Sequence, residues 1–220
     1  MVIDLKPIFE YGKDTYSQNG EDGILDFLFD KLEIKNGLVL EVGAHNGIWC
    51  SNTRKLYEKN ESFKALLIEG DSGVYSQLVD NTKNMNNVDT VNAFISSDSS
   101  LNNSIDEIIK KSRFRNEDFV LASIDIDGED YNVWKQMIIQ PKLIIIEVPI
   151  FLESHPEKKN ILEYIELGNE KGYVFLGMSG ILNIQAGNMI FLRSDLADIF
   201  NLPKQNERIL LHNGKRYINE

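Results

Sequence analysis

A single cysteine, Cys50, occurs in the 220 residues. An internal disulfide framework is therefore excluded, and a reducing compartment, the cytoplasm, is expected. No apolar run approaches the roughly 18–20 residues that a bilayer-spanning helix requires. The opening Met1-Val2-Ile3-Asp4-Leu5-Lys6-Pro7 lacks the basic and apolar regions of a signal peptide. Positive charge is scarce: 23 Lys and Arg face 34 Asp and Glu, for a formal net charge of −11. Nucleic-acid backbones are held by clustered Lys and Arg, so no extended nucleic-acid surface is expected. The only basic cluster, Lys110-Lys111-Ser112-Arg113-Phe114-Arg115, reads either as a small local patch or as a helix end where cations suit the dipole. Internal repeats, low-complexity stretches and Pro/Gly/Ser linkers are missing too, and one domain is the economical reading. It divides into an N-terminal helical segment over 1–35, a core sheet over 36–195 and a polar tail over 196–220. Oligomeric state leaves no signature in the sequence.

What the chain does have is a repeated strand ending. Leu38-Val39-Leu40-Glu41, Ala65-Leu66-Leu67-Ile68-Glu69, Leu121-Ala122-Ser123-Ile124-Asp125 and Leu143-Ile144-Ile145-Ile146-Glu147 are four apolar runs that each close on an acid. Helical patterns alternate with them, which points to an α/β domain with a parallel sheet. Helices are expected over 21–32, 51–59, 74–83, 104–110, 129–138 and 158–170. Strands are expected over 38–42, 64–69, 90–95, 119–125, 142–148, 173–176 and 189–193. If the strands run parallel, their terminal carboxylates gather on one edge, where open α/β sheets bind ligands.

Gly43-Ala44-His45-Asn46-Gly47 follows the first strand. Glycines permit a tight turn and close approach of a ligand. A dinucleotide fingerprint would need glycine at 45 and 48, where His and Ile stand, and a phosphate loop would need Gly-Lys-Ser/Thr. Both readings fail. Glu69, at the end of the next strand, can accept both hydroxyls of a ribose. The combination predicts an adenosine-type ligand without a pyrophosphate, and Glu41 under the turn would face a positive group on it. S-adenosylmethionine, with its ribose, α-amino group and sulfonium, fits.

Ser123-Ile124-Asp125-Ile126-Asp127-Gly128-Glu129-Asp130-Tyr131 places four acids within six residues at a strand end. Such a group needs cations, donors or water. Asp125 and Asp127 are candidates for a general base or for a divalent cation, Mg or Mn, which takes hard oxygen ligands. The competing reading makes Asp127 the N-cap of the following helix. Tyr131, Trp134 and Ile138 have the spacing of a core-facing stripe. His155, in a loop, is a reserve base, ahead of His45 and His212.

Taken together, these residues resemble the FkbM-type branch of class I S-adenosylmethionine-dependent methyltransferases. The likeness runs from Tyr16 to about Arg193. It is carried by Tyr16-Ser17-Gln18-Asn19-Gly20-Glu21-Asp22-Gly23, by Glu41 to Gly47, by Ile68-Glu69, by Ser123 to Gly128 and by Asn188 to Arg193. Ser123 stands where the family's Lys-Ile-Asp-Val-Glu-Gly motif has lysine, and Asp127 where it has glutamate. The resemblance implies a Rossmann-like fold: a mostly parallel seven-stranded sheet with an antiparallel last strand and helices on both faces. It implies O-methylation of a hydroxyl on a sugar, a glycan or a glycosylated small molecule. Related sugar enzymes hold a divalent metal through aspartates, which makes Asp125 and Asp127 metal candidates. The expected cofactor contacts are Ser17 and Gln18 closing over it, Glu41, Gly43, Ala44, Gly47, Glu69 and Asp125, with Phe94 and Ile95 flanking the adenine. Asp127 is the expected base. Two rivals are a non-catalytic S-adenosylmethionine-binding module and a hydrolase or nucleotide-sugar enzyme. The second would want a pyrophosphate cradle or a nucleophile–His pair, and neither is present with suitable spacing.

Overall fold

The computed structural model describes residues 3–4, 8–98, 100–149, 159–179 and 186–202. Seven strands form the main sheet, in the order β4-β3-β2-β5-β6-β8-β7. They are β2 (Gly37–Val42), β3 (Phe63–Glu69), β4 (Val88–Asn92), β5 (Phe119–Ile124), β6 (Leu143–Pro149), β7 (Tyr173–Ser179) and β8 (Ala186–Arg193). β2 to β6 pair in parallel, and β8 runs antiparallel to both β6 and β7. The order reverses between β2 and β5, so their carboxyl ends flank the crevice where such sheets take ligands. A two-residue ribbon, β1 (Ile3–Asp4) with β9 (Phe200–Asn201), pairs in parallel beside it.

Alternation along the strands divides the core into two layers. Leu38, Leu40, Ile68, Ala122, Ile124, Ile144 and Ile146 face one side. There they meet α4 (Ile105–Lys111), α5 (Asp130–Gln136) and α6 (Ile161–Glu170) through Ile108, Trp134 and Tyr164. Val39, Ala65, Leu67, Leu121, Leu143 and Ile145 face the other. They meet α1 (Glu21–Lys31), α2 (Arg54–Tyr57) and α3 (Ser72–Thr82) through Leu25, Leu28, Tyr57 and Leu78. Strands buried on both faces explain the near-continuous apolar runs of the sequence.

Several boundaries differ from the sequence-based expectation. α2 covers only Arg54–Tyr57, because Ser51 and Thr53 turn their hydroxyls onto Glu41 instead of continuing a helix. β4 ends at Asn92, so Phe94 and Ile95 lie in the loop beyond it. α5 ends at Gln136, which leaves Ile138 outside the helix and exposed, while Trp134 is buried. Ser104 caps α4, its side chain accepting from the Glu107 amide. The basic cluster is the end of α4 and the turn after it: Lys110 pairs with Glu107 and Lys111 reaches Asn102. Among the described residues no helix is long and apolar enough to cross a membrane.

Candidate active site

A cavity of about 730 Å³ opens at the carboxyl ends of β2, β3, β5 and β6, within the range of small-molecule sites. The turn after β2 and the turn after β5 form adjacent walls. They meet backbone to backbone: the Asp125 amide donates to the Val42 carbonyl at 3.0 Å. Gly43, at φ +82°, sits so close that a Cβ would lie 1.7 Å from the Asp125 carbonyl oxygen. Only glycine fits there. Gly47, at φ +72°, faces the other way, against the Leu78 side chain of α3. It shapes the turn but does not line the cavity, in contrast to Val42, Gly43 and Ala44.

Glu69 faces the cavity from the end of β3. One carboxylate oxygen accepts the His45 amide and the other the Asp71 amide, each at 2.8 Å. These two bonds fix the carboxylate across the mouth of the turn, and each oxygen retains acceptor capacity. Glu41 does something else. It is 4% exposed and lies beneath the turn rather than in the wall. Its oxygens accept from the Ser51 hydroxyl at 2.8 Å, the Asn52 amide at 2.7 Å and the Thr53 hydroxyl at 2.7 Å. The expectation that Glu41 faces a cationic ligand group is thus corrected: its carboxylate anchors the 51–54 loop. Asn52 then reaches the Ser123 hydroxyl at 3.0 Å.

The opposite wall is acidic. Asp125, Asp127, Glu129 and Glu147 line it, and among the described residues no Lys or Arg does. Burial is the main cause, with Glu147, Asp130 and Asp127 adding repulsion, that pushes the Asp125 carboxyl up to about 8. The acids whose oxygens converge within 4.8 Å are Asp125, Asp130 and Glu147. Asp127, expected to pair with Asp125 around a cation, is not of that group of three. Both Asp130 oxygens already accept backbone amides, from Ile126 at 2.8 Å and Gly128 at 2.9 Å. Nor is Asp127 the N-cap of α5: that position is Glu129, without a side-chain cap. Asp127 instead stands exposed at the rim with φ +59°.

Strain marks the same walls. Among the described residues, positive φ at non-glycine positions occurs at Glu33, His45, Cys50 and Asp127. The last three line the cavity. Such backbone persists where the surroundings impose it, and it concentrates at ligand sites. Sequence reading gave no hint of Cys50 or of Trp49, which lies edge-on to His45 with ring centroids 5.2 Å apart. Trp49 and Phe94, 64% and 75% exposed, are open apolar surfaces at the mouth.

The remaining expected contacts divide. Gln18, Phe94 and Ile95 line the cavity; Ser17 does not, because its hydroxyl and amide are tied to Asp14 and Asp22. Glu21 and Asp22, in the first turn of α1, are buried anchors. Glu21 accepts from Ser179 at 2.5 Å and Asn188 at 2.7 Å, and Asp22 accepts the Thr15, Tyr16 and Ser17 amides. His155 lies outside the described residues.

No protein-family model and no curated protein matches the chain. Solved structures do. The magnesium protoporphyrin IX methyltransferase of Synechocystis PCC 6803, with bound SAH, superposes at a TM-score of 0.54 and 9% identity, covering 79% of this chain and 82% of that one. A carbon methyltransferase of CurJ gives 0.53 at 11% identity, over 81% of this chain and 56% of that one. A putative sarcosine dimethylglycine methyltransferase from Galdieria sulphuraria gives 0.52 at 13% identity, over 79% and 85%. The fold is therefore the Rossmann-like fold of class I methyltransferases; at these identities the likeness is one of fold.

Proposed function

We propose that this chain is an S-adenosylmethionine-dependent O-methyltransferase acting on a hydroxyl of a sugar, a glycan or a glycosylated small molecule. The observation that carries the donor assignment is Glu69. Its carboxylate is pinned by the His45 and Asp71 amides at the mouth of the Gly43 turn, with acceptor capacity left for two ribose hydroxyls. The methyltransferase fold and the absence of a phosphate-binding pattern in the turn support the same donor. The FkbM-type resemblance supports the sugar acceptor. The all-acidic wall agrees with an uncharged acceptor and opposes phosphorylated ones.

When bound, S-adenosylmethionine supplies an electrophilic methyl carbon. The protein's tasks are alignment and proton removal. Transfer would form a C–O bond as the C–S bond breaks, and a carboxylate of this chain would take the hydroxyl proton. Asp127 and Asp125 both face that side. We assign the proton to Asp125, with Asp127 beside it at the rim. A carboxyl raised to about 8 is a stronger base than an ordinary one once ionised. A sulfonium nearby favours that ionised form, so donor binding would switch the base on.

Glu69→Ala should weaken S-adenosylmethionine binding about a hundredfold in calorimetry, as expected for two charge-assisted hydrogen bonds. Unchanged affinity would sink the ribose assignment. Mass spectrometry of free sugars and O-glycans incubated with S-adenosylmethionine, with and without chelator, tests the acceptor. A gain of one methyl on a sugar hydroxyl is expected.

A further inference from the structure

We infer that Tyr16, Glu58 and Arg54 form a relay that docks the 15–20 segment onto the cofactor turn, and that this docking positions Gln18 at the cavity mouth. The inference rests on the donor site proposed above, but its geometry is independent of it. The Tyr16 hydroxyl donates to a Glu58 oxygen at 2.5 Å. The other Glu58 oxygen accepts from Arg54 Nε at 3.2 Å and Nη2 at 3.1 Å. Arg54 Nη1 then donates to the Gly47 carbonyl at 3.2 Å, the last residue of the turn. Arg54 is 5% exposed, and its guanidinium lies 5.9 Å from the Tyr16 ring centroid. A buried arginine is held this way only when its charge and its donors are both met.

Asp22 holds the same end through the backbone amides of residues 15–17, and the far end is fixed where the Asn19 amide donates to Glu21 at 3.0 Å and the Gly20 amide to Asp14 at 2.6 Å. Between these two anchors the chain delivers Gln18, an exposed side chain that lines the cavity. Its amide oxygen lies 3.3 Å from the Cys50 sulfur, which lines the cavity as well. The relay therefore joins the segment that carries Gln18 to the turn that would hold the donor. Mutual hydrogen bonding raises the Tyr16 hydroxyl and lowers the Glu58 carboxyl, which fits a bond maintained across the neutral range. Tyr16, Glu58 and Arg54 are positioning residues: they act on the cavity through Gln18, which lines it, and through the turn that Gly47 closes.

Cys50 is the only cysteine, so the rate of its alkylation by iodoacetamide reports how closely Gln18 covers it. The measurement uses the full chain without added cofactor. Tyr16→Phe removes one hydroxyl and keeps the ring. It should speed alkylation at least about tenfold, the lower end for one hydrogen bond to a charged group. Gln18→Ala should speed it as much, and the double variant no more than Gln18→Ala alone, since Tyr16 acts through Gln18. Glu58→Gln provides a second break in the relay should Tyr16→Phe fold poorly, and the same acceleration is expected. A lowered melting temperature with an unchanged alkylation rate would overturn the inference, as would additive effects in the double variant. S-adenosylmethionine should slow alkylation of the wild type and bind the Tyr16→Phe variant several-fold more weakly. Absence of protection and of calorimetric binding in the wild type would overturn the donor assignment, while the cofactor-free rates would still decide the relay.

Discussion

The turn after β2 and the turn after β5 share one cavity, and burial raises a carboxyl in each, Glu41 and Asp125, yet the two turns meet their acids differently. On the β2 side, Glu41 and Glu69 are met by donors from the chain itself: two hydroxyls and an amide for Glu41, two amides for Glu69. On the β5 side, Asp125 is raised to about 8 by burial and by neighbouring acids. The first wall is finished before any ligand arrives and holds its shape. The second carries an electrostatic cost that a ligand's positive charge relieves. The contrast assigns binding to one wall and proton chemistry to the other, and each prediction below strikes one side of it.

The largest effect belongs to the crowded wall. Asp125→Asn should lower turnover by about 10²–10⁴, the usual contribution of a positioned base. S-adenosylmethionine affinity should change far less, because the ribose acceptor is on the other wall. Asp127→Asn should cost less than Asp125→Asn; the reverse order, measured as kcat with saturating donor, would return the base to Asp127. Glu41→Ala strikes the finished wall from beneath. It strands the Ser51 and Thr53 hydroxyls and the Asn52 amide in a buried site, and should cost about 3 kcal/mol of stability in urea unfolding. Donor affinity should fall only as far as the 51–54 loop moves.

The pH dependence of stability carries a contribution from each wall, since burial raises Glu41 as well as Asp125, and the Asp125 variant isolates the β5 share. The folded Asp125 carboxyl keeps its proton up to about 8, whereas its ordinary value is 3.8. A raised carboxyl favours the fold at low pH, and that contribution is lost as pH climbs from about 4 to about 8. Melting temperature should therefore decline across that window, and Asp125→Asn should flatten the decline. An equally steep decline in the variant would place the cost elsewhere.

Much of this architecture was legible because the chain writes it locally. Apolar runs closing on Glu41, Glu69, Asp125 and Glu147 gave the strands and the edge, since burial on both faces demands such runs. The roles of the acids were less legible, because a carboxylate's partners are set by the loop that returns to it. Glu41 read as a ligand contact, but Ser51, Asn52 and Thr53 come back over it. Asp127 read as a base or as a helix cap; the cap reading fails, because Asp127 stands at the rim with positive φ and Asp130 holds the loop amides. Phe94 and Ile95 read as strand residues, yet they reach the cavity from the loop past Asn92. Tyr16 and Glu58 lie 42 residues apart, a separation at which no periodicity argument pairs them.

The smallest expected effect is also the most selective. Asp71 serves the finished wall twice: its side chain caps α3 by accepting the Val74 amide at 2.8 Å, and its backbone amide donates to Glu69. Asp71→Ala removes the cap and keeps the amide. Loss of such a cap costs about 1 kcal/mol, so the melting temperature should drop by a few degrees. Donor affinity in calorimetry should stay within about threefold of wild type, because Glu69 retains both of its donors. A hundredfold loss, matching that expected for Glu69→Ala, would mean that the wall depends on the seating of α3. The β2 side would then be no more finished before ligand binding than the β5 side.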